Sequence, residues 1–204
     1  MKYTINEIFY SVQGEGMRAG EASVFVRFSG CNLRCSMEPS DKSPGGFNCD
    51  TEFVSGRKVT LDELIDWIKM THIGSPPSWV VLSGGEPLLQ LNEKLINRLK
   101  KEGYKLAIET NGTKAIPDGL DWVVCSPKVA EHALIPTEVD ELKYVRHYGQ
   151  GIPKPKIKAK VKIISPAFDA REVPRETLKW CIQLVKDNPE WRLSVQQHNQ
   201  WKVR

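Results

Sequence analysis

An alternation of strand-like and helix-like segments through most of the chain constrains the fold more than any other feature. From Ser23 onward, Val24, Val26 and Phe28 alternate with Phe25 and Arg27, the two-residue period of a strand. Residues 60–69 then place Leu61, Leu64, Ile65 and Ile68 at helical spacing, and Thr60 with Glu63 predicts a capping box at the start. A short buried strand is predicted over 79–82, a helical stripe at Leu91, Leu95 and Leu99 that stops at Gly103, and further strands over 104–110, 121–125 and 142–145. Strands separated by helices imply parallel pairing, so the expected fold is an α/β sheet curved like part of a barrel.

The last quarter is less regular. Lys154, Lys156, Lys158, Lys160 and Lys162 occupy alternate positions with Ile157, Ala159, Val161 and Ile163 between them, which predicts a strand with one solvated basic face. Residues 174–187 are expected to be helical, with Leu178, Cys181, Ile182 and Val185 on one face, and Trp191, Leu193 and Val195 to form a closing strand. No internal repeat or linker interrupts the chain, so residues 1–204 are expected to form a single domain.

Five cysteines sharpen the chemistry. The number is odd, and residues 1–12 alternate polar with apolar side chains where a secretory segment needs an unbroken apolar run, so the expectation is a cytoplasmic chain with reduced thiols. No stretch approaches the roughly 18 uncharged apolar residues of a membrane span. The 29 Lys and Arg exceed the 25 Asp and Glu by 4, too small an excess to imply nucleic acid. Cys31, Cys35 and Cys49 lie close together on a segment leaving a strand, while Cys125 and Cys181 stand apart. A closed zinc site wants four ligands and no second Cys or His pair follows; three thiolates leave one iron of a four-iron cluster open.

These residues carry a resemblance. GCNLRC at 30–35, CDTEF at 49–53, SGGEP at 83–87 and ETNG at 109–112 resemble the motifs of radical S-adenosylmethionine enzymes. Within that superfamily, EIFYSVQGEG at 7–16, FVRFSGCNLRC at 25–35, CSPK at 125–128, DELK at 140–143 and WRLSVQQH at 191–198 are similar to those of the 7-carboxy-7-deazaguanine synthases, over nearly the whole chain. The resemblance implies a compact, incomplete TIM-like barrel that contracts the ring of 6-carboxy-5,6,7,8-tetrahydropterin with release of ammonia. The cofactors it implies are a 4Fe-4S cluster, S-adenosylmethionine and Mg2+. It also implies a flavodoxin or ferredoxin as reductant and a homodimer, with no membrane and no direct nucleic-acid partner.

Residue by residue, the resemblance makes Cys31, Cys35 and Cys49 the cluster ligands and Thr51 the magnesium ligand. Asn48, Asp50, Gly85, Glu86, Ser126, Pro127 and Lys128 would border S-adenosylmethionine. Val12, Gln13, Gly14, Glu15, Arg27, Ser83 and Arg204 would meet the pterin, Arg27 through its carboxylate. Two departures stand out. The superfamily spaces its cysteines by three and then two residues, whereas here the counts are three and then thirteen. Residues 36–48 hold two Pro and two Gly and read as a loop insertion, whose closure costs on the order of 1–2 kcal/mol because that entropy grows only logarithmically with length. An Asn199 stands where the family carries Lys. Two rival readings are a radical-enzyme activase acting on a partner's glycine, and a non-enzymatic zinc or iron-sulfur module binding nucleic acid through the alternate lysines.

Overall fold

The computed structural model describes residues 2–33, 35, 49, 51–72, 74, 77–168 and 172–203. The expected insertion over 36–48, with Asn48, and the positions Asp50 and Arg204 lie outside them. Nine strands form one sheet: β1 (Tyr3–Val12), β2 (Ala22–Phe28), β3 (Arg57–Val59), β4 (Trp79–Gly84), β5 (Lys105–Thr110), β6 (Trp122–Cys125), β7 (Glu138–Arg146), β8 (Lys158–Pro166) and β9 (Trp191–Leu193). Their order is β3-β1-β2-β4-β5-β6-β7-β8-β9, so the sheet stays open between β3 and β9. Pairing from β2 through β9 is parallel throughout, and only β1 runs antiparallel to its neighbours.

The described residues also form four α-helices: α1 (Leu61–Met70), α2 (Glu93–Lys101), α3 (Arg175–Asp187) and α4 (Gln197–Trp201). The capping box forms as expected, with Thr60 Oγ1 accepting from the Glu63 amide and the Glu63 carboxylate from the Thr60 amide. Leu91 falls outside α2, because Asn92 Oδ1 accepts from the Leu95 amide at 3.0 Å and caps the helix after it. The 142–145 segment is part of a longer strand, the basic alternation becomes a strand only from Lys158, and β9 is shorter than its pattern suggested. Lys160 in that strand is ion-paired with Asp140, and Lys162 lies over the Trp191 ring.

Two apolar clusters hold the helices to the outer face of the sheet. Val24, Val26, Phe28, Val80, Leu82, Leu106 and Ile108 pack with Leu64, Ile65, Ile68, Leu95, Ile96 and Leu99 of α1 and α2. Leu142, Tyr144 and Ile164 pack with Cys181 of α3, and Val123 touches both clusters. Because side chains alternate faces along a strand, the residues between these core positions line the inner face. Register sets one row of them side by side: Glu7 opposite Arg27, Arg27 beside Ser83, then Glu109, Val124, Glu141 and Val161 across β5, β6, β7 and β8. Five of these seven side chains are polar or charged, which marks the inner face as the place for chemistry.

Candidate active site

The site begins where the parallel strands end. β2 runs into Ser29, Gly30 and Cys31, while β4 ends in the turn Ser83 to Glu86. The two ends are clamped by bonds from the Gly85 amide to Phe28 O at 3.0 Å and from the Glu86 amide to Gly30 O at 2.9 Å. A Cβ at Gly85 would lie 2.0 Å from Gly30 O and 3.1 Å from the Cys31 Cβ, so only glycine allows this approach of the cysteine loop to the turn.

Glu86 is fully buried. Its Oε1 accepts from Thr110 Oγ1 at 2.8 Å and the Leu88 amide at 3.1 Å, and its Oε2 from the Asn111 amide at 2.8 Å. Burial pushes its carboxyl above the usual carboxylate range, opposed by the hydrogen bonds from Asn111, Thr110 and Leu88. The ETNG turn in turn reaches the cysteine loop: Asn111 Nδ2 donates to Asn32 Oδ1 at 3.2 Å and lies 3.9 Å from Cys31 Sγ. Ser126, after β6, joins the same rim through its amide on Thr110 O, and Lys128 Nζ donates to Ser126 Oγ at 2.7 Å.

Cys31, Cys35 and Cys49 form no disulfide and are partly exposed, whereas Cys125 and Cys181 are buried. Burial pushes the Cys31 and Cys35 thiols up; Cys31 adds to the shift at Cys35 and the Lys128 ammonium opposes it, so these three groups share one neighbourhood. Cys49 Sγ donates to Thr51 O at 3.2 Å. Among the described residues no three His, Cys, Asp or Glu side chains converge closely enough to hold a metal ion. The donor set nevertheless fits an iron-sulfur cluster: soft thiols, raised chiefly by desolvation, lie beside a glycine-lined approach, and metal binding would draw off their protons.

The loop joining β1 to β2 forms the other boundary. Gln13 Nε2 donates to Glu109 Oε1 at 3.2 Å, Gln13 Oε1 accepts from the Glu15 amide at 3.1 Å, and Glu15 pairs with Lys143 at 2.6 Å. The Gly16 amide donates to Ser194 Oγ at 2.8 Å and the Met17 amide to Glu141 Oε1 at 3.1 Å. α4 seals the loop from behind: the Gln197 amide donates to Gly14 O, and a Cβ at Gly14 would lie 2.3 Å from His198 Nδ1. Between this loop and the polar row is a cavity with about 10 Å³ of space for the centre of a water-sized molecule, walled by Gln13, Gly16, Arg18, Glu109, Glu141 and Lys143 among others.

The structure therefore brings Gln13, Glu15, Arg27 and Ser83 to the inner face, and Cys31, Gly85, Glu86, Ser126, Pro127 and Lys128 to the rim. Val12 ends β1 and pairs with Ala22. Arg27 already has a partner, with Nε 3.4 Å from Glu7 Oε1, and its guanidinium faces the Phe9 ring. Sequence reasoning missed Glu109, Asn111, Glu141 and Lys143 as individuals although it had noticed ETNG and DELK. Glu109 Oε2 accepts from Ser83 Oγ at 3.1 Å, so this carboxylate ties Ser83 to Gln13. The available signal was a charged residue inside an apolar strand.

An open α/β barrel with three thiols and a glycine-acid turn at the carboxyl ends of its strands has the architecture of a radical S-adenosylmethionine enzyme. A family model described as a 4Fe-4S single cluster domain matches residues 12–117. The chain is 40% identical to the 7-carboxy-7-deazaguanine synthase of Bradyrhizobium diazoefficiens, and 39% to that of Bacteroides thetaiotaomicron, in each case over 100% of both chains. It superposes on the crystal structure of QueE from Escherichia coli with a TM-score of 0.69 at 24% identity, covering 96% of this chain and 94% of that one. The chain belongs to the 7-carboxy-7-deazaguanine synthase family.

Proposed function

We infer that this chain catalyses the radical-mediated contraction of 6-carboxy-5,6,7,8-tetrahydropterin to 7-carboxy-7-deazaguanine, releasing ammonia on a route to deazapurines. The observation that carries this reading is the full-length identity to synthases of that name, together with a polar row beneath a cysteine-bearing rim. Cys31, Cys35 and Cys49 would hold a 4Fe-4S cluster, which with S-adenosylmethionine would supply reductive cleavage and hydrogen abstraction.

The chain's own residues bind, orient and exclude water. Glu86 offers a buried carboxylate to the ammonium group of S-adenosylmethionine, where desolvation strengthens a charge-assisted bond. Ser126 and Lys128 hold its ribose and carboxylate. Glu109 presents two acceptor oxygens, already aligned by Ser83 and Gln13, to the paired N–H donors of a pterin edge. Arg27 receives the substrate carboxylate in exchange for Glu7, a fork-on-carboxylate geometry that lysine cannot match. The loop over 13–18 and α4 close the opposite side and keep water from the reacting centre.

Thr51 would offer a neutral oxygen to Mg2+, a hard cation that takes oxygen ligands and would help to hold the substrate. The chain acts as a single domain, as a homodimer, with a flavodoxin- or ferredoxin-type donor. No helix among the described residues is long and apolar enough to cross a membrane. Anaerobic reconstitution, with iron and sulfide assayed, followed by S-adenosylmethionine, Mg2+, reductant and the carboxypterin tests the reading. Ammonia should appear with the contracted product; a fully loaded cluster without turnover overturns it.

A further inference from the structure

The cavity beneath the polar row has an unusual charge balance. Of the two cations in its wall, Lys143 is paired with Glu15 at 2.6 Å. Arg18 is held by Glu21 at 3.0 Å and by Ser23, with its guanidinium laid 3.8 Å over the Trp79 ring. That leaves Glu109 and Glu141, which form no ion pair among the described residues. Glu109 receives only the neutral donors Ser83 and Gln13.

Glu141 is 1% exposed, and its two oxygens differ. Oε1 accepts from Trp122 Nε1 at 2.6 Å and from the Met17 amide. Oε2 is buried and has no hydrogen-bond partner. A Cβ at Gly16 would lie only 2.2 Å from it, so only glycine lets the loop over 13–18 pack this closely on the carboxylate, and both residues line the cavity. A buried carboxylate oxygen with nothing to accept from costs on the order of 1–3 kcal/mol or more. Such an oxygen persists where a ligand satisfies it. The cavity has room for about one water-sized molecule. A water brings two donors and no charge; ammonium is of similar size, brings four donors and neutralises one of two facing carboxylates.

We propose that the cavity walled by Glu109 and Glu141 is a binding site for ammonium, the nitrogen product of the ring contraction. The assignment of the ligand as product rests on the function proposed above; the site itself rests on the cavity and its unpartnered carboxylate oxygen. Ammonia is largely protonated at neutral pH, so the released product meets a pocket of opposite charge that adjoins the pterin site and shares Gln13, Glu15 and Glu109 with it.

The test uses the cluster-loaded protein without substrate, in ammonia-free buffer at constant ionic strength set with NaCl. Titration of 15N-ammonium chloride, followed by its NMR line width, should give one saturable site, with an equal concentration of K+ failing to displace it. Glu141→Gln should weaken binding at least tenfold. In turnover assays added ammonium should inhibit the wild type at concentrations about tenfold below those needed for the variant. Absence of saturable binding, displacement by K+ as effective as by ammonium, or unchanged affinity in Glu141→Gln overturns the site. The K+ competition needs no variant, so it decides even where Glu141→Gln does not fold. Absence of ammonium binding to the wild type with its turnover intact overturns this inference alone, because ring contraction is measured separately by product formation.

Discussion

Glu86→Gln separates the structural and the ligand-binding work of the buried carboxylate at the rim. In the wild type three donors converge on it, from Thr110 and Leu88 on one oxygen and Asn111 on the other. A glutamine in the best orientation keeps its carbonyl on the first pair and turns its amide N–H groups against the Asn111 amide. Two buried donors then face each other, which costs about 1–3 kcal/mol of folding stability. The ammonium of S-adenosylmethionine also loses a charge-assisted bond of about 1.5–3 kcal/mol, which weakens its binding by roughly 10- to 150-fold. Thr110→Val is the matched control: it removes a neutral bond to the same carboxylate, together with the acceptor of the Gly112 amide, and leaves the charge, so it should cost about 1–3 kcal/mol of stability and change cofactor affinity less than about threefold. The assays are urea unfolding and equilibrium binding of S-adenosylmethionine to the cluster-loaded protein. If Glu86→Gln folds with a full cluster and binds the cofactor as tightly as the wild type, Glu86 is only an acceptor for the ETNG turn and the argument from its burial fails.

Thiol chemistry offers an independent check, since burial pushes Cys125 up to about 12 and Cys181 up to about 11 while Cys31, Cys35 and Cys49 are partly exposed. Iodoacetamide should label three thiols of the cluster-free folded chain and all five in urea; rapid native labelling of Cys125 would contradict the core assignment. Gly85→Ala drives a methyl group to within 2.0 Å of Gly30 O, so the cysteine loop must move away and iron content after reconstitution should drop sharply, a result read by iron and sulfide assay. Burial raises the Glu141 carboxyl, against Trp122, Met17 and Lys143 and together with Glu109. The native state therefore holds that proton more tightly than the unfolded chain, and stability is lost as pH rises from the ordinary carboxylate range through the raised value. Glu141→Gln should gain on the wild type over that window, by at most about 1.4 kcal/mol per pH unit in urea unfolding; a gap independent of pH would mean that Glu141 is ionised throughout.

Several parts of this molecule are legible in the residue order because they rest on local periodicity. The outward faces of β2, α1 and α2 follow from the spacing of Val24, Val26 and Phe28, of Leu64, Ile65 and Ile68, and of Leu95 and Leu99. Thr60 and Glu63 announce a helix start because the capping box closes within four residues. β3 has no such signature: its three residues are a strand only because β1 lies beside them. The polar row was hidden for the same reason. Glu7, Arg27, Ser83, Glu109 and Glu141 are scattered over more than a hundred positions, and each alone reads as an ordinary charged or polar residue.

By itself, the order of residues determined the alternation of strands and helices, the division of five cysteines into a cluster of three and two apart, and the motif set that marks the family. Those are properties of neighbours along the chain, where spacing and composition act directly. Tertiary structure alone decided which oxygen of Glu141 goes without a donor, which cations are already taken by Glu15 and Glu21, and that the loop over 13–18 closes beneath the row. Hydrogen bonding and charge neutralisation act across space between strands whose register is set by packing, and no one-dimensional pattern carries that register.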